Sequence, residues 1–218
     1  MNRDEVWQAI DHERSTLADL FDDLSAKEWE TASLCDGWRV RDVAAHLTLA
    51  HGASLLQMAS WMLRARGSMN RMIHDTAVRQ AELPVERYSA LLRAMVGSRK
   101  TAAPGLTPFE PLIDVLVHGQ DITIPLGRDR PMPPRAAAAA ATRAWERKGW
   151  PFWAKRRMSG FELVATDHSW SVGQGRRVEG SIGTILLVLT GRTAALPHLS
   201  GPGAAGLRAR LSPAAARR

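Results

Sequence analysis

Cysteine is nearly absent: Cys35 stands alone in 218 residues. No intramolecular disulfide can form, and no CxxC zinc knuckle exists. A lone cysteine becomes a nucleophile only beside a base or cation that depresses its pKa. The simpler expectation is a small packed residue in a loop. Long hydrophobic runs are missing too, none reaching the roughly 18 residues a membrane helix needs. The opening stretch MNRDEVWQAIDHERS is polar and charged, unlike a secretory signal. A cytoplasmic protein with no membrane partner is expected. Lysine is scarce, limited to Lys27, Lys100, Lys148 and Lys155. The net charge of +7 and pI of about 10.6 therefore come from arginine. The arginines are scattered, with no helix-turn-helix, RNP or zinc-finger pattern among them. A specific nucleic-acid partner is not expected. The one dense basic run, Lys155-Arg156-Arg157, falls beside Trp153 in an expected linker.

What remains is an ordinary globular composition, 45% hydrophobic and 23% charged, long enough for a sizeable core. Val6, Ile10, Leu17, Leu20, Phe21 and Leu24 recur at helical spacing over 3–24. Ser25 caps a short turn to Trp29, and SLCDGW (33–38) reads as a loop punctuated by Gly37. A second helix is expected from Arg39 or Val40 towards Arg66, with an apolar stripe including Ala50 and an end at Gly67. Further helices are expected over about 69–83, 85–99, 109–124 and 134–149, with the loop TAAPGLTP (101–108) among them. Proline starts two of them, and Gly149 ends the last. Beyond Gly149 the pattern changes. Residues 161–166, 169–173 and 176–181 read as short strands. Ile182–Thr190 reads as a short helix and 196–199 as a turn. The expected architecture is mainly α: a four-helix bundle over 1–150, a small α+β domain over 158–211 and a disordered tail over 212–218. The apolar face of the second helix (Leu55, Leu56, Met58, Trp61, Met62) is either buried core or a homodimer surface.

The sequence FEPLIDVLVHGQDI places Asp114 and His118 four apart, on one face of a helix. Both are embedded among apolar residues, where an unpaired carboxylate costs several kcal/mol. His46, in VAAHLTL, is the best third ligand from a facing helix. Two His and one carboxylate suit Zn²⁺, Ni²⁺ or Fe²⁺ and leave a position for water or substrate. The alternatives are core histidines with hydrogen-bond partners, or an Asp114–His118 ion pair without metal. Asp121 either orients a ligand, caps the helix end or binds an Arg. His51, at i+5 from His46, is off its face. His12, His74 and His198 show no partner pattern and read as surface residues.

Three segments, CDGWRVRDVAAHL (35–47), DVLVHGQDITIPLGR (114–128) and LVATDHSWSVGQG…VEGSIGTILLVLTGRTAALPHLSGPG (163–203), resemble the DinB/YfiT-like proteins. The resemblance is to the mycothiol-dependent maleylpyruvate isomerase branch of actinobacterial type, and it covers almost the whole chain in order. It implies a DinB-like bundle (up-down-down-up) with a small α+β C-terminal domain, and metal ligands at His46, Asp114 and His118. The family's acidic ligand is usually Glu, so Asp114 is one methylene shorter. Arg39 stands where relatives tend to carry a Ser or Thr N-cap, which leaves Asp36 or water for that role. The resemblance implies mycothiol as co-substrate and a small electrophilic substrate, hence an isomerase or S-transferase. An acidic substrate calls for an Arg, and Arg192, in the LTGR turn, is the candidate. Its alternative is a surface Arg capping the preceding helix. Trp38 either walls a pocket at the mouth of the second helix or plugs the core. Two further readings stay open: a non-catalytic metal-binding or regulatory relative, and a metal-dependent hydrolase with Asp121 as a conceivable base.

Overall fold

Asn2 and Glu5 close a reciprocal cap that starts the first helix: the Asn2 side chain accepts from Glu5 N at 2.9 Å, and Glu5 accepts from Asn2 N at 2.7 Å. The structure, a computed structural model, describes residues 1–49, 55–101, 106–147 and 151–212. Ala50, His51, the AAPG half of the TAAPGLTP loop, Gly149 and the tail beyond Ser212 lie outside the described residues.

By its internal contacts the chain divides into two units, residues 2–130 and Met1 with 131–218. The first holds α1 (Arg3–Asp22), α2 (Ala26–Trp29), α3 (Val40–Leu49), α4 (Leu55–Arg64), α5 (Met69–Gln80), α6 (Glu86–Ala94) and α7 (Phe109–Thr123). The expected long second helix is thus described as two segments, α3 and α4, with 50–54 outside the description. Helices α1, α3, α6 and α7 make the four-helix bundle, and α5 lies against α3. Leu17, Phe21, Trp29, Val43, Leu47, Tyr88, Leu92 and Val115 fill its core. Each large apolar side chain there contributes about 1.5–3 kcal/mol by burial. Trp29 knits the cluster, its ring 5.4 Å from Phe21 and 5.7 Å from Tyr88.

Two helix ends differ from expectation for physical reasons. Helix α6 stops at Ala94, not near residue 99, because Gly97 turns to φ +81° and α1 takes over the freed groups. Arg14 donates to Met95 O at 2.8 Å, and Gly97 N donates to Asp11 at 3.0 Å. At the start of α3 it is Asp42, not Asp36, that engages Arg39. Asp42 accepts from Arg39 N at 2.8 Å and pairs with the Arg39 guanidinium at 3.0 and 3.1 Å.

The second unit holds α8 (Pro134–Glu146), α9 (Ala154–Arg157), β1 (Phe161–Ala165), β2 (Ser171–Gly173), β3 (Arg176–Gly180), α10 (Ile182–Leu189), a 3₁₀ turn (Thr193–His198) and α11 (Ala204–Leu211). The strand order is β2-β1-β3; Leu163 faces Val172 in the antiparallel pair and Val178 in the parallel one. Asp167 accepts from Ile182 N at 2.7 Å and Ser181 caps α10, which sets that apolar run as a helix. A Cβ at Gly175 (φ +124°) would collide with the Gly160 carbonyl, so only glycine fits that turn.

The composition changes near 149–158, but the contacts divide the chain after Arg130. Helix α8 packs against α10, with Ala137 and Ala141 fully buried, and so belongs with the sheet. The basic run at 155–157 is not in a linker: it lies in α9, with Ala154 buried and Lys155 Nζ 5.8 Å from the Trp145 ring centroid. Among the described residues, no helix is long and apolar enough to cross a membrane.

Candidate metal centre

Loop 33–38 leads into α3. Ser33 N donates to Trp38 O at 2.9 Å, and Trp38 N to Cys35 O at 3.0 Å. Gly37 takes φ +75° with open space where a Cβ would go, so backbone conformation alone asks for glycine. Leu34 N donates to Asp121 O at 3.1 Å, which pins this loop to α7. Nearly two turns into α3 stands His46, with Ala45 and Leu47 buried beside it.

Helix α7 is buried over most of its circumference, and the 114/118 face is its opening. The Asp114 side chain keeps 36% of its exposure and His118 keeps 14%. Asp114 is therefore only half-buried, and His46 of α3 faces it. Its Oδ1 is 3.5 Å from His46 Nε2 and 3.4 Å from His118 Nε2. The three candidate ligand atoms all lie within 4.8 Å of one another. Two ligands about 2.0–2.1 Å from a tetrahedral zinc ion are separated by about 3.3 Å. The two carboxylate–imidazole spacings are close to that figure, so these residues could hold a metal ion. The short Asp114 arm reaches both histidines without a glutamate's extra methylene.

The other face of the His118 ring is fixed. Its Nδ1 lies 2.8 Å from Asp121 Oδ2, and the Asp121 side chain is 0% exposed. This is the carboxylate–histidine arrangement that selects one tautomer and directs Nε2 towards a metal. Asp121 also accepts from Cys35 Sγ at 3.1 Å, and Cys35 Sγ lies 3.7 Å from His118 Nδ1. Cys35, His118 and Asp121 form a second group of possible ligands. Their 2.8 Å N–O separation is that of a hydrogen bond and shorter than a ligand pair's.

Charge follows the same geometry. Burial works against a charged Asp114, but the positive charge of His46 and hydrogen bonds to His118 and His46 outweigh it. The carboxyl is held well below the usual carboxylate range. Burial likewise opposes a charged His118, yet hydrogen bonds to Asp114, Asp121 and Cys35 raise it well above an ordinary histidine.

Trp38 takes the core position expected of it. It is buried in the bundle core, and its ring centroid is 5.4 Å from His46 and 6.5 Å from His118. His74, read from sequence as a bare surface residue, is exposed but rests against Trp38 at 6.3 Å and lies 3.2 Å from Asp75. His12 and His198 are exposed, as expected. Arg192 lies in the other unit, where it donates to Thr190 O at 2.9 Å just past α10, the local capping contact. Cys35 is the residue that sequence reasoning undervalued. Its position opening the CDGW loop was the only local signal, since Asp121 is 86 residues away.

The model of the mycothiol maleylpyruvate isomerase N-terminal domain family matches residues 10–123. Two solved structures share the fold. One is the crystal structure of the mycothiol-dependent maleylpyruvate isomerase, at 16% identity over 88% of this chain and 90% of that one, TM-score 0.60. The other is a histidine-to-alanine mutant of the mycothiol-dependent maleylpyruvate isomerase, at 14% identity over 94% of each chain, TM-score 0.63. No curated protein matches the sequence.

Proposed function

The chain belongs to the family of the mycothiol maleylpyruvate isomerase N-terminal domain, and on that premise we propose that it is a metal-dependent isomerase or S-transferase. It would use a low-molecular-weight thiol, mycothiol by family, on a small electrophilic substrate. The observation that carries this is the ligand-like spacing of His46 Nε2, Asp114 Oδ1 and His118 Nε2, with His118 Nδ1 already committed to Asp121.

A divalent ion, zinc as the first choice and nickel or iron as alternatives, supplies the Lewis acidity that makes a thiol a thiolate at neutral pH. His46, Asp114 and His118 would hold it. Asp121 keeps the His118 proton on Nδ1, which leaves Nε2 as the donor atom. Trp38 packs against both histidine rings and keeps water from that side. The thiolate sulfur would form a C–S bond to one alkene carbon, the electron pair moving into a conjugated carbonyl. Rotation about the resulting single bond and expulsion of the same thiolate give the other geometric isomer and regenerate the thiol. In the S-transferase variant a leaving group departs in the thiolate's place. The hydrolase alternative is weakened, because Asp121 is buried and engaged by His118 and Cys35.

The test is turnover of a conjugated cis-alkene acid by metal-loaded protein with and without mycothiol. Turnover only with thiol supports the proposal; equal turnover without thiol contradicts it. We extend the proposal to a homodimer, supported by the exposure of Leu56 (84%) and Leu63 (80%), seven residues apart on α4.

A further inference from the structure

We propose that Cys35 is a positioning residue of this centre: its thiol steadies the Asp121 carboxylate, which in turn sets the His118 ring. The proposal rests on the assignment of His46, Asp114 and His118 as ligands.

Asp121 Oδ2 is approached by two donors, His118 Nδ1 at 2.8 Å from its own helix and Cys35 Sγ at 3.1 Å from the loop before α3. The Asp121 side chain is 0% exposed, so bulk water does not stand ready to replace either donor. Turning the carboxylate would forfeit both contacts at once, and turning the His118 ring would forfeit its own. The same loop reaches Asp121 through its main chain, Leu34 N donating to Asp121 O at 3.1 Å. Cys35 O also accepts from Trp38 N at 3.0 Å, so this residue links the carboxylate behind His118 to the indole beside His46. A thiol suits the place. It is small enough for the loop, and as a weak donor it does not compete with the imidazole for the carboxylate's charge.

Loss of a partner behind a ligating histidine typically costs about 10–100-fold in metal affinity. Full-length wild type, Cys35→Ala and Cys35→Ser would be titrated with Zn²⁺ against a chromophoric chelator, and the absorption of their Co²⁺ forms recorded. The expected result for Cys35→Ala is an affinity about 10-fold lower and shifted cobalt bands. Cys35→Ser, which keeps a donor, should recover most of both. A purely structural role would lower the melting temperature of both variants and leave the cobalt spectrum alone. Wild-type affinity and an unchanged spectrum in Cys35→Ala would overturn the proposal. So would equal weakening in the serine variant, which is also the comparison to rely on if the alanine variant does not fold. A wild type that takes up no Zn²⁺ would overturn the ligand assignment itself, a separate failure.

Discussion

His118 Nδ1 and Asp121 Oδ2 face each other at 2.8 Å, three residues apart on α7. That contact fixes the His118 ring, whose Nε2 then faces Asp114. Asp121→Asn preserves the shape and removes the charge. We expect Zn²⁺ affinity to fall about 10–100-fold, read by chelator competition. Asp121→Ala adds the cost of unpairing buried groups, about 1–3 kcal/mol, visible as a lower thermal midpoint of the metal-free protein.

Proton and metal compete for His118. In the metal-free protein its pKa is raised well above the ordinary value. The stability its charged form contributes is therefore complete below the unfolded value and is lost as pH rises through the folded one. Metal requires the neutral ring, so binding expels that proton. Apparent Zn²⁺ affinity should rise by about tenfold per pH unit while His118 is still protonated, then level off. Titrations from pH 6 to 9 check this, and an affinity flat over that range would contradict it.

Glu28 provides an acid-stability test remote from the centre. Hydrogen bonds from Arg128 and Ser25 hold its carboxyl down at about 2. The stabilisation is therefore complete above the unfolded value near 4.5 and disappears as pH falls towards 2. Arg128→Ala should cost about 1 kcal/mol at pH 7, as exposed pairs do, and clearly less at pH 2, where Glu28 is about half protonated. Urea melts at the two pH values measure the difference.

The exposed Leu56 and Leu63 predict a dimer through α4. Light scattering on the wild type should give twice the chain mass, and the double change Leu56→Lys with Leu63→Lys should give the chain mass. A monomeric wild type would remove this part of the proposal.

The elements that the sequence announced were those with a period or a cap. The apolar stripe of α1, the Ser25 turn, the α7 face that carries Asp114 and His118, and the helix over Ile182–Leu189 are local patterns, and they stand where expected. Other features depend on distant partners. The allegiance of α8 was hidden because alanines surround the helix and point it to no particular face. The early end of α6 depends on Arg14 and Asp11, more than 80 residues away. Helix α11 was not anticipated, its short run AAGLRARL having no clear stripe. In the site, the i, i+4 spacing announced Asp114 and His118, and apolar flanks announced His46. The Cys35 contact was illegible because a single cysteine has no spacing to read.

The most direct test of the account is the metal content of the purified protein after incubation with Zn²⁺ and desalting, by elemental mass spectrometry, beside His46→Ala and His118→Ala. About one equivalent of zinc per chain is expected in the wild type, lost in both variants. A folded wild type that retains no metal, or variants that retain as much as the wild type, would contradict it.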